Sequence, residues 1–220
     1  MKRFSWVNRF AGATWSVAEQ AAAQPSEPIS LPATVPLEGA TLRLRYLEQT
    51  DGPALVDFAR RLSSHDLLFL RRDITRQEQV DQWLHETAAG LTTTIIALDG
   101  DKIVGYAAVT SDGLAWTRHV LELDVMVAES MRGKHLGRLL TEQAFAVAQE
   151  RGANKMVARM TVDQHAANNV FRRMGFEPEA RLKRQVMDRD GQLHDLQILA
   201  LDVGAFRAKL AALMMQPPPF

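Results

Sequence analysis

Glu122 and Asp124 stand two residues apart in the run Leu121-Glu122-Leu123-Asp124-Val125-Met126-Val127, whose alternation predicts a strand. Residues at that spacing share one face of a strand, so both carboxylates project to the same side. Neighbouring like charges raise one of the two pKa values, which suits a base working near neutrality. A solvated strand face, or partners for Arg118, would use the same residues without chemistry. Shortly afterwards Arg132-Gly133-Lys134-His135-Leu136-Gly137-Arg138 opens an expected helix. Free N–H groups at a helix start, reinforced by the helix dipole, bind anions, best a phosphate or pyrophosphate. Gly133 and Gly137 let a ligand approach the backbone closely. Arg132, Lys134 and Arg138 add positive charge. An ordinary helix cap with solvated basic residues would look similar.

Several other chemistries are excluded. The loop is not a P-loop, because no Gly-Lys-Ser/Thr follows a four-residue spacer, and it lacks the Gly-x-Gly-x-x-Gly fingerprint of dinucleotide sites. The six histidines (65, 85, 119, 135, 165 and 194) show no metal spacing, and His85-Glu86 lacks the second histidine of a zinc-protease motif, so no metal is expected. There is no cysteine in the 220 residues, which removes disulfides, thiolate metal sites and a cysteine nucleophile. Lys and Arg (26) balance Asp and Glu (26), arguing against duplex DNA or an anionic membrane as a partner held by bulk charge. No run of about 18 apolar residues is present, so no membrane span is expected, and the reading of location is cytoplasmic.

The elements that must position these residues are legible from residue 41 onward. Strands are expected at 41–47, 93–98, 103–109, 120–127, 155–161, 179–187 and 193–202. Helices are expected after Asp51 (Leu55, Phe58, Ala59, Leu62 inward), around Val80–Ala88, at Leu136–Gln149 and at Ala167–Met174. Asp99-Gly100-Asp101 and Asp188-Arg189-Asp190-Gly191 mark hairpin turns. The order β-α-α-β-β-β-α-β-α-β-β argues for a mixed α/β (α+β) domain at 41–203 with helices on both faces of a mixed sheet. Residues 1–40 read as a tail or linker, with Phe4, Val7, Ala11 and Trp15 spaced for a short amphipathic helix. Asn8 and Arg9 interrupt any secretory apolar core, while the basic, acid-poor start leaves an organelle transit peptide as a second reading. Residues 204–220 read as a tail with a short helix (Phe206, Leu210, Leu213) ended by prolines.

Two motifs in this order resemble the GNAT N-acetyltransferase superfamily, which moves an acyl group from coenzyme A to an amine. Its acyl-CoA loop, Arg/Gln-x-x-Gly-x-Gly/Ala, is matched by Arg132-Gly133-Lys134-His135-Leu136-Gly137. Its second stretch, Asn-x-x-Ala-x-x-x-Tyr-x-x-x-Gly-Phe, is matched by Gln164 through Phe176. The resemblance implies the GNAT fold, a mostly antiparallel mixed sheet whose strands 120–127 and 155–161 splay to admit acyl-CoA. It implies that backbone groups of Val125 and Val127 hold the pantetheine arm and that Arg132–Gly137 wraps the pyrophosphate, with Arg138 close by. It also implies Glu122 as catalytic base, with Asp124 the second candidate, since an alkylammonium of pKa about 10.4 must lose a proton before attack. Ser63–Trp83, with His65, Asp66, Phe69, Arg71, Arg72 and Asp73, falls where the family shapes its acceptor site. The implied partners are acetyl-CoA as cosubstrate and an amine acceptor, a small molecule or a protein lysine. Many relatives pair as homodimers.

Three matched positions depart from the pattern. His135 replaces a glycine, but only its N–H is needed, and histidine tolerates positive φ better than most residues. Gln164 replaces asparagine and is one methylene longer, with Asn168 or Asn169 near enough in sequence to compensate. Phe171 replaces the tyrosine that protonates the departing thiolate in many members. A thiol with a pKa of about 8.5 is already a tolerable leaving group, and losing a general acid costs about 10²–10⁴-fold rather than everything. The expectation is therefore an active N-acyltransferase working by direct attack. The alternative is a catalytically weak module of the same fold that binds acyl-CoA as a sensor or scaffold.

Overall fold

The computed structural model describes residues 29–67, 70, 72–188, 190–206 and 208. The expected amphipathic helix at Phe4–Trp15 and the tail positions Leu210 and Leu213 lie outside them. Eight strands form one sheet: β1 (Ala33–Leu37), β2 (Ala40–Tyr46), β3 (Thr92–Asp99), β4 (Lys102–Thr110), β5 (Val120–Val127), β6 (Lys155–Thr161), β7 (Glu177–Met187) and β8 (Leu193–Asp202). Their order is β1-β2-β3-β4-β5-β6-β8-β7, and every neighbouring pair is antiparallel except β5–β6. Among the described residues, helices α1 (Gly52–Arg60), α2 (Ser64–Leu67), α3 (Gln77–Ala88), α4 (Leu136–Glu150) and α5 (His165–Arg173) accompany it. This is the mixed α/β architecture expected. The sheet begins earlier than residue 41, because β1 lies in the segment read as linker and pairs with β2.

The two faces of the sheet carry separate cores. Ile95 and Ala97 of β3, and Leu121 and Leu123 of β5, pack beneath α4 and α5 with Leu136, Leu140, Ala144 and Phe171. Ile96 and Leu98, with Tyr106, Ala108 and Met126, pack on the other face against α1 and α3 through Leu55, Phe58, Val80 and Trp83. Burial on both faces explains why β3 and β4 read as continuous apolar runs.

Gly105 sets how closely α4 approaches β4. A Cβ there would lie 3.0 Å from the Met126 carbonyl oxygen and 3.1 Å from Leu140 Cδ1. Gly105→Val overpacks this contact and should cost about 1–3 kcal/mol of stability. A denaturation midpoint equal to wild type would contradict that assignment.

The turn before α1 is closed by charge. Asp51 takes two hydrogen bonds from Arg45, at 2.7 and 2.8 Å, and one from the Glu48 N–H at 2.7 Å. Burial alone would raise the Asp51 pKa, but these bonds and the Arg45 charge hold it below the usual carboxylate range. A depressed folded pKa contributes stability that is present above the unfolded value of about 3.9 and lost as pH falls through the folded value. Acid unfolding followed by circular dichroism should thus be less steep in Asp51→Asn than in wild type below about pH 4. Parallel curves would contradict the ion pair's contribution.

Candidate acyl-transfer site

The strand β5 places its side chains alternately, as its pattern requires. Leu121, Leu123, Val125 and Val127 face the α4 side, while Glu122, Asp124 and Met126 face the α1–α3 side. Both carboxylates line one cleft with Arg72, Trp83, Tyr106, Ala108 and Thr110. Glu122 is 16% exposed, and its Oε2 lies 3.7 Å from Arg159 Nε on β6. The Tyr106 hydroxyl donates to Asp124 Oδ2 at 3.2 Å. Tyr106 sits opposite Met126 across the ladder, so it reaches Asp124 as a diagonal neighbour. Burial, then the charge of Asp124 and the bond to it, push the Tyr106 pKa far up, so the phenol stays protonated as a donor. Trp83 Nε1 donates to Thr94 at 3.1 Å and carries Arg72 over its ring at 5.4 Å, fixing the cleft wall.

β5 and β6 are paired only from Val120–Lys155 to Glu122–Val157. Beyond that point β5 runs on to Val127 and β6 to Thr161 without a ladder between them. The strands thus part where Val125 and Val127 stand. Past β5, a 3-10 turn at Glu129–Met131 leads to Arg132–His135 and then α4. Gly133 has φ +73° and His135 has φ +63°, both left-handed. A side chain at Gly133 would meet open space, and one at Gly137 only Val127 at an ordinary 3.6 Å. The head of α4 is therefore an uncovered loop with its backbone accessible, which is what a phosphate group needs. Leu136 is buried beneath it, while His135 and Arg132 are exposed and Lys134 is partly so.

The charges around this loop are more committed than their types suggested. The Arg132 guanidinium pairs with Asp66 of α2, and Arg138 donates to Glu142 at 2.8 Å. At the head of α5, Gln164 Oε1 accepts the Thr161 N–H at 3.0 Å, tying the helix start to the end of β6. The Thr161 hydroxyl is buried there with no hydrogen-bond partner among the described residues. Asn168 turns to β8, donating to Gln197 at 3.2 Å. Phe171 is buried edge-on against Phe176, with ring centroids 5.1 Å apart. Phe69 and Arg71 lie outside the described residues. Tyr106, Thr110 and Arg159 were not anticipated, because their roles depend on cross-strand register.

A family model described as acetyltransferase (GNAT) family matches residues 57–176, from within α1 through Phe176. The chain belongs to the GNAT acetyltransferase family. Among relatives of this GNAT protein, streptothricin acetyltransferase of Streptomyces lavendulae is 37% identical over 91 residues, covering 41% of this chain and 47% of the relative. N-alpha-acetyltransferase 30 of Schizosaccharomyces pombe is 28% identical over 98 residues, covering 43% of this chain and 64% of the relative. The match thus spans less than two thirds of the length of these curated relatives. Among solved structures, ribosomal-protein-alanine N-acetyltransferase from Brucella melitensis superposes with a TM-score of 0.65 at 25% identity, covering 73% of this chain and 99% of that one. Among the described residues of this GNAT protein, no group of three His, Asp or Glu could hold a metal, and no helix is long and apolar enough to cross a membrane.

Proposed function

We propose that this GNAT protein is an N-acyltransferase that moves the acetyl group of acetyl-CoA to a primary amine by direct attack in a ternary complex. The observation that carries this reading is the parting of β5 from β6 after Glu122–Val157, aligned with the uncovered left-handed loop at the head of α4. Acetyl-CoA supplies the activated thioester. The N–H groups of Arg132–Gly137 hold its pyrophosphate, with Arg138 alongside, and the free edge of β5 at Val125 and Val127 holds its pantetheine arm. Gln164 and Asn168 frame the far side at α5.

The amine enters the cleft on the opposite face of β5. Glu122 takes a proton from the ammonium, freeing the nitrogen lone pair. Asp124, fixed by the Tyr106 hydroxyl, adds negative charge that favours a cationic acceptor over a neutral one. The new C–N bond forms as the C–S bond breaks, and coenzyme A leaves as the thiolate. Phe171 carries no proton for that thiolate, which instead takes up, through water, the second proton released by the newly acylated nitrogen. With no cysteine in the chain, the transfer needs no cysteinyl intermediate. The acceptor is a small-molecule amine or a protein amine, as the names of the streptothricin and ribosomal-protein relatives illustrate for those proteins.

The buried Phe171 also favours a second reading, a weakly catalytic acyl-CoA sensor. Isothermal titration with acetyl-CoA, followed by thiol release over a panel of small amines and lysine peptides, separates the two. Binding with amine-dependent release is expected. Binding without release on any acceptor favours the sensor, and no binding contradicts both.

A further inference from the structure

The acyl-CoA loop is anchored by buried residues at its two ends, Met131 and Leu136. Between them lie four residues whose side chains are exposed or partly so. Backbone alone leaves such a segment free to open, since nothing apolar holds it down. The described side-chain tether within it is the Arg132–Asp66 ion pair, which bridges 66 positions of sequence.

The two partners are unequal. The Asp66 side chain is 10% exposed, whereas that of Arg132 is 47% exposed. Asp66 is further clamped by Ser63, whose hydroxyl donates to Asp66 Oδ2 at 2.7 Å and accepts the Asp66 N–H at 3.2 Å. Ser63 thus caps the start of α2 through the Asp66 N–H, and its hydroxyl holds the carboxylate independently of Arg132. A fixed carboxylate facing a flexible guanidinium sets the position of the guanidinium, and through it the loop backbone. The same segment leads on to Arg72 and Trp83, which line the amine cleft.

We propose that Asp66 is a positioning residue for the acyl-CoA loop: through Arg132 it holds the loop N–H groups toward the pyrophosphate and ties that loop to the wall of the amine cleft. The proposal rests on the acyl-CoA reading above. It reverses the simplest role for Arg132, whose side chain faces a carboxylate while the backbone serves the phosphate. Freed from Asp66, the Arg132 side chain is hydrated at little cost because it is already half exposed, so losing the pair loosens the loop without unfolding the protein.

The test is a double-mutant cycle on acetyl-CoA affinity by isothermal titration, with Asp66→Asn, Arg132→Gln and the double variant. Each single change should weaken binding about tenfold, and the double should be no weaker than Arg132→Gln alone. At saturating acetyl-CoA, turnover of Asp66→Asn should stay near wild type, so KM moves and kcat does not. Unchanged affinity in Arg132→Gln, or independent effects that multiply in the double, overturns the proposal. Should Asp66→Asn fail to fold, Arg132→Gln alone decides by the same tenfold criterion. Absence of acetyl-CoA binding by the wild type would instead overturn the acyl-transfer reading itself.

Discussion

Glu122→Gln is expected to lower kcat/KM for the amine about 10²–10⁴-fold near neutral pH, the range that general-base assistance supplies. Glutamine keeps the shape of the side chain and its place beside Arg159, so acetyl-CoA affinity should stay at the wild-type value. The deficit should depend on pH in a definite direction. Where the acceptor is an ammonium, the base must remove its proton, and the variant is slow. As pH rises toward the acceptor's own pKa, about 10.4 for an alkylamine, the free amine is present in solution and the loss should shrink. Rate profiles of both proteins across this range check the point. A deficit constant with pH would contradict proton removal by Glu122, and Asp124, on the same face, would become the candidate.

The second large effect concerns the shape of the loop rather than its charge. Gly133→Val with His135→Val places β-branched side chains at φ +73° and +63°. Left-handed backbone costs an L-residue about 1–2 kcal/mol per position, and β-branching makes such a residue a true outlier. The loss of glycine at 133 should weaken acetyl-CoA binding about 5- to 30-fold, the equivalent of about 1–2 kcal/mol, and β-branching at 135, where histidine already bears the left-handed cost, adds to that loss. Circular dichroism should report an intact fold, because these side chains would project into open space or solvent. His135→Gly, which removes the remaining strain, should bind as well as wild type or better. Wild-type affinity in the double variant would show that the left-handed loop does not hold the cofactor.

Local patterns carried most of the architecture. The alternation in Val120–Val127 reports a strand with both carboxylates on one face, and the structure places them so. The stripe from Leu136 onward reports α4 because its inward residues recur at helical spacing. β1 escaped because Pro32 and Pro36 mark a linker, yet an edge strand needs few donors and tolerates proline. The substitution at His135 was interpretable in advance, since a histidine can occupy the left-handed region that the structure shows. What sequence spacing does not report is register. Tyr106 meets Asp124 only because β4 and β5 pair with Tyr106 opposite Met126. Asp66 meets Arg132 only after α2 folds back toward the head of α4. Charges that looked free for phosphate, at Arg132 and Arg138, are therefore paired with carboxylates in the folded protein.

The most direct measurement mixes the full chain with acetyl-CoA and an amine panel, then follows free thiol and acetylated product together by absorbance and mass spectrometry. Direct transfer predicts one coenzyme A released for each N-acetyl amine formed, with no acetyl group left on the protein and no release when the amine is omitted. Release without an N-acetyl product, or an acetyl group retained on the protein, would contradict it.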